Sequence, residues 1–264
     1  MKIGFIGLGN MASAMIGGIL TKGIKRPDQL VGTDCMPDSR DRAQEIYQIQ
    51  ITETNADTVK EADMIFLSVK PQFYEEVIRE IKDLVRPDQI FVSIAPGKTI
   101  SWIGSIFEKE IKLVRCMPNT PALVGEGCTG VCASPNVTED ELDEVMTILS
   151  SFGKASVVKE NLMDAVVGVS GSSPAYVFMF IEAMADAAVA AGMPRNQAYE
   201  FAAQSVYGSA KMVLETGKHP GVLKDMVCSP GGTTIEAVRI LEEKGFRSAV
   251  MEAVLGCVEK SKKM

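Results

Sequence analysis

Histidine is almost absent from this chain, because His219 is the only one among 264 residues. A zinc site made of two or three histidines is therefore excluded, and we expect no metal site. An excess of positive charge is absent too, since 27 Lys and Arg stand against 34 Asp and Glu and leave a net charge of −7. Without a basic surface to hold phosphates, we expect neither nucleic acid nor an anionic membrane as a partner.

Low-complexity segments, internal repeats and linkers rich in Pro, Gly or Ser are also missing. Hydrophobic residues make up 46% of the chain and charged residues 23%, which is typical of a folded globular protein and excludes a disordered or collagen-like one. The length suits one large domain or two modest ones, and it is enough to bury a core without disulfide bonds.

Two apolar stretches and the cysteines bear on where the protein resides. Residues 1–20 have the composition of a signal peptide, but several glycines fall inside their apolar part. Residues 175–191 carry Glu182 and Asp186, and each would cost about 3 kcal/mol in a bilayer, so we predict a buried helix of a soluble protein. Six scattered cysteines, mostly in apolar runs, favour buried free thiols in a reducing cytoplasm.

Short apolar runs alternate with helix-like segments over the first 160 residues. Strands are predicted at residues 2–7, 30–33, 63–69, 90–95, 112–116, 129–133 and 155–158. Helices are predicted at residues 10–20, 39–47 and 72–84, and a capping box of Thr138 and Glu141 begins another. Nearly continuous apolar strands separated by helices are typical of a parallel sheet covered on both faces. We therefore predict a Rossmann-type, doubly wound α/β fold.

Only helices are predicted beyond residue 160. They lie at residues 175–191, 197–214, 234–243 and 248–259. We accordingly divide the chain into an α/β domain over residues 1–160 and an all-helical C-terminal domain over residues 161–264.

A glycine-rich motif follows the first predicted strand and opens the first predicted helix. It has the G-x-G-x-x-A form of a dinucleotide-binding loop and consists of Gly7, Leu8, Gly9, Asn10, Met11 and Ala12. Gly7 would allow the tight turn, and Gly9 would let the backbone approach a pyrophosphate at the helix N-terminus. The alternative is an ordinary strand, turn and helix.

Asp34 stands at the end of the second predicted strand, 22 residues beyond Ala12. An acid there accepts the hydroxyls of an adenosine ribose and repels a 2′-phosphate, which favours NADH. Arg40 and Arg42 follow closely and have the charge to bind a phosphate, so the choice between NADH and NADPH stays open. The alternative role for Asp34 is to cap the next turn.

Three further strand ends should line the cofactor, because open α/β sheets bind ligands at the carboxyl ends of their strands. The alternative explanation is that the proline and glycine residues at these strand ends only form turns. The residues expected to contact the cofactor there are Val69, Lys70, Pro71, Ala95, Gly97, Asn119 and Pro121.

Two segments in the C-terminal part have the composition of anion-binding nests. In the first, Ser229, Pro230, Gly231, Gly232, Thr233 and Thr234 run directly into a predicted helix. Bare glycine backbone, hydroxyl groups and helix N–H groups suit a carboxylate or phosphate. The second segment, residues 170–176, contains Ser172 followed by Ser173 and a proline. An ordinary helix N-cap is the alternative for each.

Taken together, these motifs resemble the pyrroline-5-carboxylate reductase family over essentially the whole chain. The segments that carry the resemblance are residues 7–12, 69–71, 115–121, 170–176 and, as the most specific, 223–234. The family implies reduction of 1-pyrroline-5-carboxylate to L-proline, the last step of proline biosynthesis, by NADPH or NADH. It also implies homodimers that interlace their helical domains, often assembled into decamers.

The resemblance also implies roles for individual residues. It makes residues 1–160 the dinucleotide-binding domain, with Asn55 and Asp34 among the cofactor contacts, and residues 161–264 the domain for substrate binding and dimerisation. The substrate carboxylate would be held by Ser229, Gly231, Gly232, Thr233 and Thr234, with Ser172 nearby. Two positions depart from many relatives, which have a small hydroxyl residue in place of Asp34 and glycine in place of Ser173.

A protonated cyclic imine is already electrophilic, so hydride transfer to it needs positioning rather than a base. We take Thr234 and Ser229 as the catalytic residues, with Thr234 within reach of the ring nitrogen and Lys70 as a rival proton donor. A related hydroxyacid dehydrogenase would need a lysine early in its helical domain, but residues 161–200 contain none. A dinucleotide sensor without catalysis would not need the second nest. A ring homologue of the imine stays open as substrate.

Overall fold

The computed structural model describes residues 1–264, which fold into two compact units. The first unit contains residues 1–172 together with residues 257–264, and the second contains residues 173–256. The division at residue 160 into an α/β domain and an all-helical domain stays a prediction.

The first unit is built on one eight-stranded sheet. Its strands are β1 (Ile3–Ile6), β2 (Leu30–Thr33), β3 (Gln50–Ile51), β4 (Met64–Leu67), β5 (Ile90–Ser93), β6 (Lys112–Met117), β7 (Gly127–Ala133) and β8 (Gly153–Val157). They are ordered β3-β2-β1-β4-β5-β6-β7-β8, so the order reverses its direction between β1 and β4. This reversal is the switch point at which doubly wound sheets bind their ligands. The predicted Rossmann-type fold is confirmed.

One strand pair departs from the parallel arrangement. β7 runs antiparallel to β6, whereas every other neighbouring pair is parallel. Only residues 118–126 separate these two strands, and a parallel crossover needs a dozen or more residues. The short connection therefore forces the chain to turn back.

Six helices accompany the sheet. They are α1 (Asn10–Thr21), α2 (Pro37–Tyr47), α3 (Asn55–Glu61), α4 (Tyr74–Ile81), α5 (Ile100–Phe107) and α6 (Glu139–Leu149). The capping box that begins α6 is confirmed, since Thr138 and Glu141 bond each other's backbone N–H groups. The sequence patterns missed α3, α5 and the two-residue strand β3, all of which are short.

Two buried apolar clusters lie on opposite faces of the sheet. Phe5 of β1 belongs to the first cluster, where its ring stacks on that of Phe66 at 5.0 Å between centroids. Its neighbour Ile6 belongs to the second cluster, together with Ile65 of β4. Because successive strand residues point to opposite faces and both faces are covered, these strands are apolar at nearly every position.

The rest of the chain is helical. The helices are α7 (Met163–Val166), α8 (Ser173–Ala190), α9 (Arg195–Thr216), α10 (Pro220–Val227), α11 (Thr233–Glu243) and α12 (Phe246–Ser261). A π-helical turn, Val167–Gly171, joins α7 to α8. Residues 160–190 form the one helical run that is long and apolar enough, by length and composition, to span a membrane.

The prediction of a buried helix at residues 175–191 is wrong for the single chain. Ala185 is the only buried residue of α8, where a small alanine cluster packs it against α9. Phe178 and Met179 are 62% and 69% exposed. The apolar composition of this helix is therefore not explained by the core of its own chain.

All six cysteines are free, as predicted, but only two of them are buried. Burial raises the pKa of Cys132 to about 11 and that of Cys116 well above its usual value, so both thiols stay protonated. Cys35 and Cys128 are exposed, which corrects the expectation of burial for them. Cys35 lies in the loop after β2, and Cys128 is the one exposed residue of β7. The remaining two, Cys228 and Cys257, are half-buried.

Candidate active site

The glycine-rich loop connects β1 to α1 at the switch point of the sheet. Gly7 has a φ of +97°, a value that strains any residue with a side chain. A Cβ there would lie 2.8 Å from the carbonyl group of Ser68, at the end of the adjacent strand β4. The tight turn expected at Gly7 is thus present, and a neighbouring strand end presses against it.

Gly9 is the residue immediately before α1, and the space beside its Cα is open. No protein atom would lie within 4 Å of a Cβ at this position. Gly9 has no side chain to cap the helix, so the first N–H groups of α1, including those of Asn10 and Met11, receive no side-chain acceptor. Free N–H groups beside an open space fit the pyrophosphate of a dinucleotide.

Asp34 follows β2 and is tied to the glycine-rich loop. One carboxylate oxygen accepts the Leu8 N–H at 2.7 Å, and the other accepts the Met36 N–H at 2.9 Å. Asp34 therefore caps the next turn, which was the alternative role considered for it. A carboxylate has about four acceptor positions, so capacity for a ribose hydroxyl is left.

Two arginines lie beside Asp34. Arg40 donates to the Asp34 carbonyl oxygen at 3.0 Å, and Arg42 reaches the Leu8 carbonyl oxygen at 3.5 Å. Charges of both signs therefore stand at the place where the 2′ position of an adenosine ribose is expected.

The other strand ends lie at the same edge, since β1, β4, β5 and β6 are mutually parallel. Val69, Lys70 and Pro71 follow β4, and the Lys70 side chain is exposed. Ala95 and Gly97 follow β5. The predicted juxtaposition of these loops is present in the fold.

Three predicted cofactor residues have structural roles of their own. Asn119 is buried, and its amide donates to the Ser170 carbonyl at 3.0 Å and accepts the Cys128 N–H at 2.8 Å. Asn55 donates to the Glu80 carboxylate at 2.6 Å. Gly97 has a φ of +73°, and a Cβ there would lie 2.7 Å from the Cβ of Met264. The side of Gly97 that would carry a Cβ is therefore occupied by the end of the chain. Pro121 lies in the short helical turn Thr120–Val124 that follows β6.

The segment before α11, in the second unit, forms a sharp turn. The Gly232 N–H donates to the Ser229 carbonyl at 3.1 Å across Pro230 and Gly231, and Gly231 has a φ of +70°. Proline followed by glycine at positive φ is the pattern of a type II turn. Gly232 precedes α11 without any side-chain cap, and Thr233 and Thr234 form its first turn. The N–H groups of this helix start are thus free to bind an anion.

The nest expected around Ser172 is not formed. Ser172 and Ser173 follow the π-helical turn within an almost continuous helical run, and the Ser172 N–H already donates to the Val167 carbonyl at 2.8 Å. Its hydroxyl accepts from the Cys257 thiol, with 3.1 Å between oxygen and sulfur. Proline in the first turn of α8 suggested a helix start, but the helical run begins before it.

Tyr74, which the sequence patterns did not single out, is buried at this edge of the sheet. Its hydroxyl donates to the Leu67 carbonyl at 2.5 Å and accepts from the Ile94 N–H at 3.2 Å. Burial raises the pKa of this hydroxyl well above its usual value. The only available signal was a tyrosine directly after one of the candidate strand-end loops.

A glycine-rich loop with an uncapped helix start, at the switch point of a mostly parallel sheet, defines a dinucleotide-binding α/β protein. Residues 2–97 match the family model described as NADP oxidoreductase, coenzyme F420-dependent. Residues 160–264 match the model described as pyrroline-5-carboxylate reductase dimerisation. The chain belongs to the pyrroline-5-carboxylate reductase family.

Full-length relatives support this assignment. The chain is 53% identical over 263 residues to the pyrroline-5-carboxylate reductase of Escherichia coli, and the alignment covers 100% of this chain and 98% of that protein. It is 43% identical to the reductase of Methanosarcina acetivorans, with 100% and 97% covered. The solved structure of a Plasmodium falciparum pyrroline carboxylate reductase with NADP bound superposes with a TM-score of 0.91 at 33% identity, covering 100% of this chain and 97% of that one.

Proposed function

We propose that this protein reduces 1-pyrroline-5-carboxylate to L-proline with NADPH or NADH, which is the last step of proline biosynthesis. The observation that carries this proposal is the 53% identity to a reductase of that name over the whole chain. The two anion-binding helix starts agree with it, because the reaction needs one site for a dinucleotide and another for a carboxylate.

The cofactor supplies the hydride when it is bound. In our proposal the N–H groups at the start of α1, with Gly7, Gly9, Asn10 and Met11, hold its pyrophosphate. Asp34 and Asn55 would contact the adenosine half. The strand-end loops would line the rest of the site, through Val69, Lys70, Pro71, Ala95, Gly97, Asn119 and Pro121.

The turn before α11 holds the substrate carboxylate in our proposal. Ser229, Gly231, Gly232 and Thr233 surround an uncapped helix start whose partial positive charge favours an anion. Thr234 hydrogen-bonds the ring nitrogen, and Ser172 is the remaining residue assigned to the substrate. Because a protonated imine is already electrophilic, the residues act by orientation, which can contribute on the order of 7–11 kcal/mol to lowering a barrier.

We further propose that the protein is a homodimer in the cytoplasm, able to assemble into decamers, without nucleic acid or membrane partners. Support comes from the exposed apolar side chains of α8, Phe178 and Met179 among them, and of α9, where Phe201 is 65% exposed. Exposed apolar surface of this kind marks an interaction site. A second copy of the chain would cover it, consistent with the dimerisation model matched by residues 160–264.

The test follows the absorbance of the reduced cofactor after addition of pyrroline-5-carboxylate, with NADH and NADPH in parallel. We expect oxidation of the cofactor and formation of proline. A 3-hydroxyacid supplied with the oxidised cofactor should give no reaction. Activity with the hydroxyacid alone would identify a dehydrogenase, and activity with neither would leave a dinucleotide sensor.

A further inference from the structure

The loops at the candidate cofactor edge are connected by hydroxyl groups. Ser68, directly after β4, places its Oγ 2.7 Å from the Gly7 carbonyl oxygen and so joins the loop after β4 to the glycine-rich loop. The neighbouring Leu67 carbonyl accepts the Tyr74 hydroxyl at 2.5 Å. The loop over residues 68–73 is thereby held at both of its ends, because Tyr74 is the residue with which α4 begins.

The same tyrosine hydroxyl reaches the loop after β5. It accepts the Ile94 N–H and the Ser93 hydroxyl, both at 3.2 Å, and Ser93 in turn accepts the Ala95 N–H at 3.4 Å. Tyr74 and Ser93 are completely buried. Since burial also raises the pKa of Tyr74, the hydroxyl stays neutral and keeps its donor proton over the working range of pH.

We propose that Tyr74 is a positioning residue for dinucleotide binding, which fixes the loops after β4 and β5 relative to each other through its buried hydroxyl. The inference rests on the proposed function, since it assumes that these loops line a dinucleotide. Tyr74 touches no ligand in this role. It keeps the edge of the sheet in its binding geometry before the cofactor arrives, which reduces the ordering that binding would otherwise require.

The test is Tyr74→Phe, which keeps the ring and removes the hydroxyl. The matched control is Gln89→Met. Gln89 is 1% exposed at the opposite end of β5, where its amide donates to the Val59 and Ala62 carbonyls at 2.6 Å and 2.8 Å. Both variants remove buried hydrogen bonds next to the same strand, but only Tyr74→Phe removes them at the candidate cofactor edge.

The readout is the dissociation constant of NADPH and of NADH, measured by titrating the fluorescence of the reduced nicotinamide, alongside the melting temperature. We expect Tyr74→Phe to weaken the binding of both cofactors about tenfold, because hydrogen bonds that order the site are lost. The ratio of the two constants should not change, because Tyr74 contacts neither Asp34 nor its arginines. Gln89→Met should lower the melting temperature and leave both constants within about twofold of wild type.

Unchanged cofactor binding in Tyr74→Phe, or equal weakening in Gln89→Met, would overturn the inference, because binding would then follow overall stability alone. If Tyr74→Phe does not fold, Ser93→Ala replaces it, since that change removes one donor to the tyrosine and frees the Ala95 N–H. A smaller loss of affinity for both cofactors supports the inference, and an unchanged affinity refutes it. A wild-type protein that binds neither dinucleotide would refute the proposed function itself, and the inference with it.

Discussion

Replacing Gly7 with alanine tests the geometry of the glycine-rich loop. The φ of +97° strains a residue with a side chain, at a cost of about 1–3 kcal/mol. The new Cβ would lie 2.8 Å from the Ser68 carbonyl atoms and 2.9 Å from the Val69 nitrogen, all of them backbone atoms. Relieving that overlap costs about another 1–3 kcal/mol. The sum of roughly 2–6 kcal/mol is a large part of the 5–15 kcal/mol by which a typical domain is stable.

We therefore expect Gly7→Ala to lower the melting temperature by about 5–20 °C, measured by circular dichroism, because 1 kcal/mol corresponds to roughly 2–4 °C in a chain of this size. Gly9→Ala is the matched control. Its Cβ meets no protein atom within 4 Å, so stability should fall by about 1 kcal/mol or less, while NADPH binding should weaken at least tenfold. A Gly7→Ala protein as stable as wild type would refute the close approach to Ser68. Normal NADPH binding by Gly9→Ala would refute the position assigned to the pyrophosphate.

Three further predictions concern substrate, cofactor choice and assembly. Thr234→Ala should lower kcat/KM for the imine by about ten- to a hundredfold with an unchanged NADPH dissociation constant, and equal steady-state kinetics would contradict its role. Asp34→Ser should shift the ratio of kcat/KM values toward NADPH by roughly tenfold or more, because a carboxylate that repels the 2′-phosphate is removed; an unchanged ratio would mean that Arg40 and Arg42 already neutralise it. Phe178→Glu should convert the proposed dimer into a monomer by light scattering, since a charge would be buried at the interface, and an intact dimer would place the interface elsewhere.

The architecture was predictable from the sequence because the central strands β1, β2, β4, β5 and β6 are buried on both faces. The run of residues 3–6 has no polar side chain and is followed by Gly7, whose φ of +97° strains any other residue, so the strand and its turn are both visible. The antiparallel β7 was less visible, since its direction depends on the length of a connection rather than on composition. Short elements such as α3, with seven residues, contain too few turns to show a period.

The candidate site was predictable to the extent that glycine marks it. Gly7, Gly9 and Gly231 have conformations or open surroundings that explain why no side chain is present. Contacts between distant segments were not predictable. No local pattern indicates that Asn119 is held by Ser170, or that residues at the end of the chain fill the space beside Gly97. The exposure of α8 was also missed, because an apolar helix has the same composition whether its own chain or a second one covers it.

The helix starts suggest how a chain with a net charge of −7 would bind the two anions of the proposed reaction. Four helices close their own N-termini with a side chain, since the hydroxyls of Thr54, Thr99 and Thr138 and the ring nitrogen of His219 each accept an N–H group from the first turn. The helices α1 and α11 follow Gly9 and Gly232 instead, which have no side chain to offer. The N–H groups at these two helix starts are left for a ligand. Each start also carries a partial positive charge of about half an elementary charge. In our proposal, anion binding depends on the glycine that precedes each of these two helices, since α2, α4 and α9 also lack a side-chain cap but follow Met36, Phe73 and Pro194. The acidic surface does not oppose it, because salt screens exposed charges beyond about 10 Å.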